Sequence, residues 1–195
     1  MAPELLGVAS AFGLASAAGL NTTLPLFLVG VLYRFGALTL ASPYDAVGSD
    51  IALVGLGVLV ALEFGADKVP GLDSVLQAIQ WPLTLAAGAI LFASQQSIIT
   101  DISPGLAVLV GVLTAGGVHA LRTAVRPVVT ASTLGLGNPV VSAIEDLLSS
   151  GLVVIAALAP LLVPAVLMTL LLAGAMVARR VGRRIHGRHS LAVTR

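Results

Sequence analysis

Two clusters of polar residues interrupt apolar runs of this chain, and each carries residue types suited to holding a small charged or polar solute. The first is Asn21-Thr22-Thr23, followed by Pro25. Asn and Thr are good helix N-caps, and proline is tolerated in a first helical turn. A helix restarting there aims free N–H groups and a positive dipole end into the protein, which suits an anion or a carbonyl oxygen. The same residues also fit a plain proline kink with a threonine-capped carbonyl. The second cluster is His119, Arg122 and Arg126, preceded by Gly116-Gly117 and followed by Pro127. Spacings of three and four residues put these side chains on one helix face. An arginine in hydrocarbon is costly unless paired, so Arg122 and Arg126 either snorkel to the headgroups or meet carboxylates or an anionic ligand.

The carboxylates available are Glu63, Glu145 and Asp146. They can neutralise the arginines, or serve as protonatable groups of a proton-coupled carrier, and the two uses are compatible. The densest polar motif is Glu63-Phe64-Gly65-Ala66-Asp67-Lys68-Val69-Pro70. It reads as a polar helix end with an Asp67–Lys68 surface pair, or as part of a hard-cation site built from three or four carboxylates. Asn21, Thr22, Thr23, Pro25, His119, Arg122 and Arg126 are therefore the candidate solute-lining residues. Glu63, Asp67, Lys68, Asn138, Glu145 and Asp146 are candidates for gating or ion pairing. No nucleophile–base pair, phosphate-cradling loop or His/Cys metal spacing is present. The chain has no cysteine and three histidines, two of them near the C-terminus. An enzyme, a cofactor and a metal centre are not expected.

These residues sit in a chain that is 57% hydrophobic and 10% charged, with mean hydropathy +1.05. Soluble proteins carry about 25% charged residues, so the class is an integral membrane protein. The apolar runs are continuous rather than alternating, which favours helices over a barrel. At roughly 17–25 residues per span, about six spans are expected. They cover Leu5 to Tyr33 with the first break inside, Ile51 to Phe64, Pro82 to Ile99, Leu106 to Val129 with the second break inside, Pro139 to Leu158, and a last span to Val177. The breaks make the first and fourth runs either kinked spans or re-entrant hairpins. Ser74 to Gln80 reads as a short interfacial helix with Trp81 at headgroup level.

The two halves correspond. A shift of 98 aligns Gly13 with Gly111, Ser16 with Thr114, Gly19 with Gly117 and Asn21 with His119. A shift of 82 aligns Gly55 with Gly137, Glu63 with Glu145 and Pro82 with Pro164. Three spans per half force the second copy to run the opposite way across the bilayer. The expected fold is thus an all-α bundle of two inverted three-helix repeats, residues 1–98 and 99–178, with discontinuous helices and a site near the midplane where the breaks meet. Residues 179–195 form a basic tail holding six of the ten Lys and Arg residues. By the positive-inside rule this tail is cytoplasmic, an even span count puts the N-terminus on the same side, and only Arg34 disagrees. The localisation expected is a multi-pass protein of the cell (inner) membrane. The tail fits an orientation signal lying on anionic lipid, not a nucleic-acid site.

The run Ala18-Gly19-Leu20-Asn21-Thr22-Thr23-Leu24-Pro25-Leu26-Phe27 resembles the opening signature of an uncharacterised prokaryotic membrane family of the domain-of-unknown-function type. Glu63 with Ala66-Asp67-Lys68-Val69-Pro70 and Asp73 resembles its second block. His119, Arg122 and Arg126, with Asn138-Pro139, Ser142 and Glu145-Asp146, are similar to its third. Arg122 departs from the lysine expected there. The resemblance implies a fold and no established substrate. The function expected is a small transporter or channel-like permeation protein for a small ion or polar solute. The alternative is a non-transporting lipid-binding or scaffold protein whose polar core only fixes packing. The partners are the bilayer and that solute, and the chain is compatible with a homo-oligomer.

Overall fold

The computed structural model describes residues 2–66, 73–95, 103–133, 137–174 and 176. Asp67, Lys68, Asp101 and the basic tail lie outside those residues, so the orientation argued from them does too. Over the described residues the chain is all-helical. The helices are α1 (Ala2–Leu20), α2 (Thr23–Arg34), α3 (Asp50–Ala66), α4 (Asp73–Ala93), α5 (Pro104–Thr133) and α6 (Asn138–Leu158), then α7 (Pro160–Gly174). A 3-10 turn, Tyr44–Gly48, lies between α2 and α3, and α7 opens with another, Pro160–Leu162. An isolated bridge pairs Leu40 with Gln95.

Helix α1 runs through the middle of the bundle, packed by α4, α5, α6 and the start of α7. It can do so because its inward residues are small: Ala9, Ala11, Ala15, Ala17 and Ala18 are buried beside Leu14. Small residues let helix backbones approach closely, which is how helices associate where no water drives them together. Gly19 is such a point, since a Cβ there would lie 2.7 Å from the Ala115 carbonyl oxygen of α5. Gly111 is another, where a Cβ would lie 2.5 Å from the Gly88 carbonyl oxygen of α4. The core between these contacts is filled by Leu14, Leu91, Leu152, Val153 and Val163. A second cluster around Ala11 and Ala15 takes in Phe92, whose ring meets Phe12 edge-on at 5.1 Å.

The first run is broken and the fourth is not. α1 ends at Leu20 and α2 begins at Thr23. Thr22 keeps helical dihedrals (φ −78°, ψ −48°), and α2 goes on to pack against α3 and α6. The first run is therefore a kinked segment, not a hairpin. By contrast, α5 passes without interruption through Gly116-Gly117, His119, Arg122, Arg126 and Pro127. The expected second break is corrected on this point, and so is the pairing of two discontinuous helices. The physical reason lies in side-chain competition. Asn21 offers its own oxygen to the N–H groups that follow it, which draws the backbone out of the helical ladder. Nothing comparable stands at Gly116-Gly117, where Thr114 bonds back to the Val110 carbonyl at 2.7 Å and stays in the helix. A second correction concerns Ser74 to Gln80, which is not a separate interfacial helix but the first turns of α4, continuous through Pro82.

Two stretches, Pro104–Pro127 and Asn138–Leu158, are long and apolar enough to cross a membrane, and Glu4–Leu20, Thr23–Arg34, Ile79–Ala93 and Pro160–Gly174 are shorter apolar helices. The outer faces of the bundle are apolar as well: Ile51, Val54 and Leu62 on α3, Ile144, Leu147 and Leu158 on α6, and Leu171 and Leu172 on α7 are all exposed.

The packing separates two glycines of α5, Gly111 and Gly117. Gly111→Ala pushes a methyl group against the Gly88 backbone and should lower the melting temperature in detergent. Gly117→Ala meets nothing within 4 Å and should be neutral or stabilising by up to about 1 kcal/mol, the helix-propensity difference between the two residues. Equal losses for both variants would count against close α4–α5 packing.

Candidate functional site

Breaking a helix inside an apolar bundle leaves backbone groups without helical partners, and these must be satisfied by something other than water. The side chain of Asn21 deals with the start of α2. Its Oδ1 accepts the N–H groups of Thr23 at 3.1 Å and Leu24 at 3.0 Å, so Asn21 caps the helix. Pro25 is buried in that first turn, where its missing N–H costs nothing. The end of α1 is tied by its neighbours. The Ala17 carbonyl accepts the Asn21 N–H at 3.0 Å and the Ser149 hydroxyl of α6 at 2.9 Å. The imidazole of His119 interacts with the Gly19 carbonyl.

The three break residues then reach three separate directions. Asn21 Nδ2 donates to Asp146 Oδ1 of α6 at 2.8 Å. Thr22 Oγ1 shares a 2.5 Å hydrogen bond with Thr84 Oγ1 of α4. Thr84 Oγ1 in turn lies 3.4 Å from His119 Nδ1 of α5. Thr23 Oγ1 donates to Glu63 Oε1 of α3 at 2.7 Å. Asn21, Glu63 and Asp146, with Val60 and Phe64, line a small cavity of about 10 Å³, room for about one water molecule. Both carboxylates thus gather near the N-terminal end of α2, where the helix dipole favours negative charge.

The arginines form a neighbouring group. Arg122 Nε and Arg126 Nη2 both donate to Glu145 Oε2, at 2.8 and 2.6 Å. The side chains of Arg122, Arg126 and Glu145 are 8%, 11% and 11% exposed, so these are buried pairs, and the arginines do not snorkel. Glu145 and Asp146 are consecutive on α6 and so point about 100° apart. Glu145 bonds the arginines, and Asp146 bonds Asn21 at the break.

Of the remaining candidates, Asn138 accepts from the Thr130 hydroxyl at 3.0 Å at an exposed position, away from the break. Asp67 and Lys68 lie outside the described residues. Among the described residues no three His, Cys, Asp or Glu side chains gather as a metal site, and the hard-cation reading gains nothing from them. Three residues were absent from the candidates. Thr84 links Thr22 to His119, Ser149 holds the Ala17 carbonyl, and Trp81 places its ring 5.0 Å from that of His119. Thr84 and Ser149 look like ordinary small polar residues of apolar helices, and only the bundle shows what they face.

Two stability measurements check this arrangement. Removing Glu145 takes away the carboxylate that both guanidiniums bond, whereas removing Arg126 leaves Glu145 still held by Arg122. Glu145→Leu should therefore destabilise by about 3–5 kcal/mol, and Arg126→Leu by less, in detergent melts. In the second, Asn21→Asp keeps the cap but turns the donor toward Asp146 into a like charge. It should be less stable than the wild type, and adding Asp146→Asn should recover most of the loss by reversing donor and acceptor. A double variant no better than Asn21→Asp alone would remove the Asn21–Asp146 bond from the account.

No curated protein and no solved structure gives a match to the chain. One family profile does, described as Domain of unknown function (DUF4126), and it matches residues 8–180. That match takes in all of the break residues and all of the buried charges described above, and the chain belongs to this family.

Proposed function

We propose that the protein is a small multi-pass membrane protein that passes a small ion or polar solute through the site at the α1–α2 break. The observation that carries this reading is the cavity bounded by Asn21, Glu63 and Asp146, at the interruption between α1 and α2. Interrupted helices at membrane depth expose backbone and capping groups to a solute, and they mark binding sites in transporters. The size of the cavity favours a solute no larger than water. In this reading the protein is not an enzyme.

The architecture that goes with it has six spans in two inverted halves, with both termini in the cytoplasm of a cell (inner) membrane. Support comes from pairs of equivalent residues. Glu63 and Glu145, related by the shift of 82, each accept bonds from residues just beyond Asn21 and His119, related by the shift of 98. Gly13 of α1 packs on Val163 of α7, and its counterpart Gly111 of α5 packs on Gly88 and Phe92 of α4. Each half thereby sets the start of its first span against the third span of the other half. Because the chain has no cysteine, single cysteines can be read without background. Those at Asp45, Asp101 and Ala159 should react with an impermeant reagent from outside, and those at Lys68 and Leu136 only from inside.

A scaffold or lipid-binding role is favoured by a different observation. Asn21, Thr22 and Thr23 are each already bonded to a partner helix, which suits a polar core that only fixes packing. Purified protein on a solid-supported membrane, screened against ions and small metabolites, separates the two. Transport predicts a current for at least one solute that is lost in Asn21→Ala. Silence across the panel, with a folded protein, favours the scaffold.

A further inference from the structure

The cavity at the break has one firmly held wall and one lightly held wall, which bears on how a solute reaches it. We infer, resting on the permeation reading, that α3 is the gate of the cavity. It pivots at its Asp50 end, and its far end, latched by the bond between Thr23 and Glu63, swings away from the break to admit the solute.

The firm wall is Asn21 and Asp146. Asn21 caps α2 and donates to Asp146. The helix that carries Asp146 is fastened to α1 by the Ser149 hydroxyl on the Ala17 carbonyl, and it buries Leu152, Val153 and Ala156. The other three lining residues, Val60, Glu63 and Phe64, all belong to α3. From Asp50 to Gly65 no residue of α3 is buried, whereas each of the other helices buries at least one. Half-buried residues recur at Leu53, Gly57, Val60 and Glu63, a spacing that makes one narrow stripe. The stripe lies along α2: a Cβ on Gly30 would sit 2.9 Å from Leu53 Cδ2, and one on Gly57 would sit 3.5 Å from the Phe27 ring. Beyond α2, α3 packs on the 3-10 turn that precedes it. Local stability follows buried contact, and elements that move to admit a ligand come from the low-stability end.

The two ends of α3 are held differently. At the first, the Ser49 carbonyl accepts the Leu53 N–H at 2.9 Å and the Ser49 hydroxyl accepts the Ala52 N–H at 3.3 Å. Asp50 also pairs with Arg34 at the end of α2. The 3-10 turn is itself pressed on α2, where a Cβ on Gly30 would lie 2.7 Å from the Val47 carbonyl oxygen. This end is the pivot. At the other end the Glu63 carboxylate accepts the Thr23 hydroxyl at 2.7 Å. A hydrogen bond can be broken and remade without disturbing a packed core, which suits a latch. At 1.5 Å per residue the arm from Asp50 to Glu63 is about 20 Å, so a swing of about 10° carries Glu63 by about 3–4 Å. That is enough to widen a cavity that holds about one water molecule. The swing parts Glu63 from Asp146 and leaves the bonds of Asn21 in place.

A pivot moves the two ends of α3 unequally, and that is measurable. The chain has no cysteine, so spin labels can be set at chosen pairs in full-length protein in liposomes. Labels at Leu62 of α3 and Leu147 of α6, both exposed, report the far end. Labels at Ile51 of α3 and Leu158 of α6, also exposed, report the pivot. Thr23→Val removes the latch hydroxyl. It should lengthen the mean Leu62–Leu147 distance by about 3–4 Å, the swing of the arm, and leave the Ile51–Leu158 distance unchanged. Thr23→Ser keeps the bond and should keep the wild-type distance. Glu63→Gln weakens the latch from α3 and replaces Thr23→Val if that variant melts early. Flux is probed with sodium, potassium, proton and chloride gradients, read as currents on a solid-supported membrane, and with water, read as osmotic shrinkage of liposomes. Phe27→Cys with Gly57→Cys, bridged by a short bifunctional thiosulfonate, pins α3 to α2. The flux of the unbridged protein should be lost in the bridged protein and return on reduction. Equal displacement of both label pairs, or of neither, overturns the gate. Flux that persists through the bridge overturns the gate and leaves permeation standing. No flux of any probe from folded, unbridged protein overturns permeation and the gate with it.

Discussion

The structure depends on a helix break that is held open by its own three residues. A kink in an apolar bundle is unstable unless each backbone group it frees finds a partner. Asn21 caps the restarting helix with its carbonyl oxygen and donates its amide to Asp146. Thr22 and Thr23, on either side of the restart, bond to Thr84 and Glu63. Consecutive residues at a kink diverge, so three neighbours in sequence can bond to three different helices. That divergence explains why α3, which packs mainly on α2, still delivers a carboxylate to the centre.

The charged residues follow from the same constraint. Burying a guanidinium without a carboxylate is more expensive than any packing gain at that position. Arg122 and Arg126 are one helical turn apart and converge on a single Glu145 oxygen. This leaves Asp146, the next residue of α6, directed to the break. The sequence Glu145-Asp146 therefore serves two sites by the rotation of one residue along a helix. The small side chains of α1 make this possible by letting α5 and α6 close on it. Ser149, one turn beyond Glu145 on α6, fastens that closure to the Ala17 carbonyl.

Much of this was legible in the residues. The helical class, the first break and the pairing of Arg122 and Arg126 with a carboxylate follow from composition, from the capping habits of Asn and Thr, and from the cost of charge in an apolar run. Two things were not. Gly116-Gly117 reads as a break because glycine weakens helices, but a weak helix former does not end a helix unless a competing partner for the backbone stands beside it. Asn21 is such a partner and Thr114 is not. Thr84 and Ser149 escaped for the opposite reason. A lone hydroxyl in an apolar helix usually bonds its own preceding turn, as Thr114, Thr123 and Thr169 do here. Only a tertiary contact distinguishes one that does not.

The unequal fate of the first and fourth runs bears on how the break is positioned. Asn21 and His119 occupy matching positions under the shift of 98, yet one ends a helix and the other sits inside an unbroken one. An asparagine can cap and an imidazole there cannot, because His119 lies in the middle of a ladder whose backbone bonds are already made. Its ring is free to turn toward its neighbours, and it meets Thr84 and the Gly19 carbonyl, at the end of the helix that did break. The intact run thus contributes a rigid rail that presents an imidazole and two arginines at fixed heights. The broken run contributes the capping groups and the cavity. A site with two broken runs would have more exposed backbone but no rigid element to position it. One break against one rail gives polar groups held in a fixed geometry.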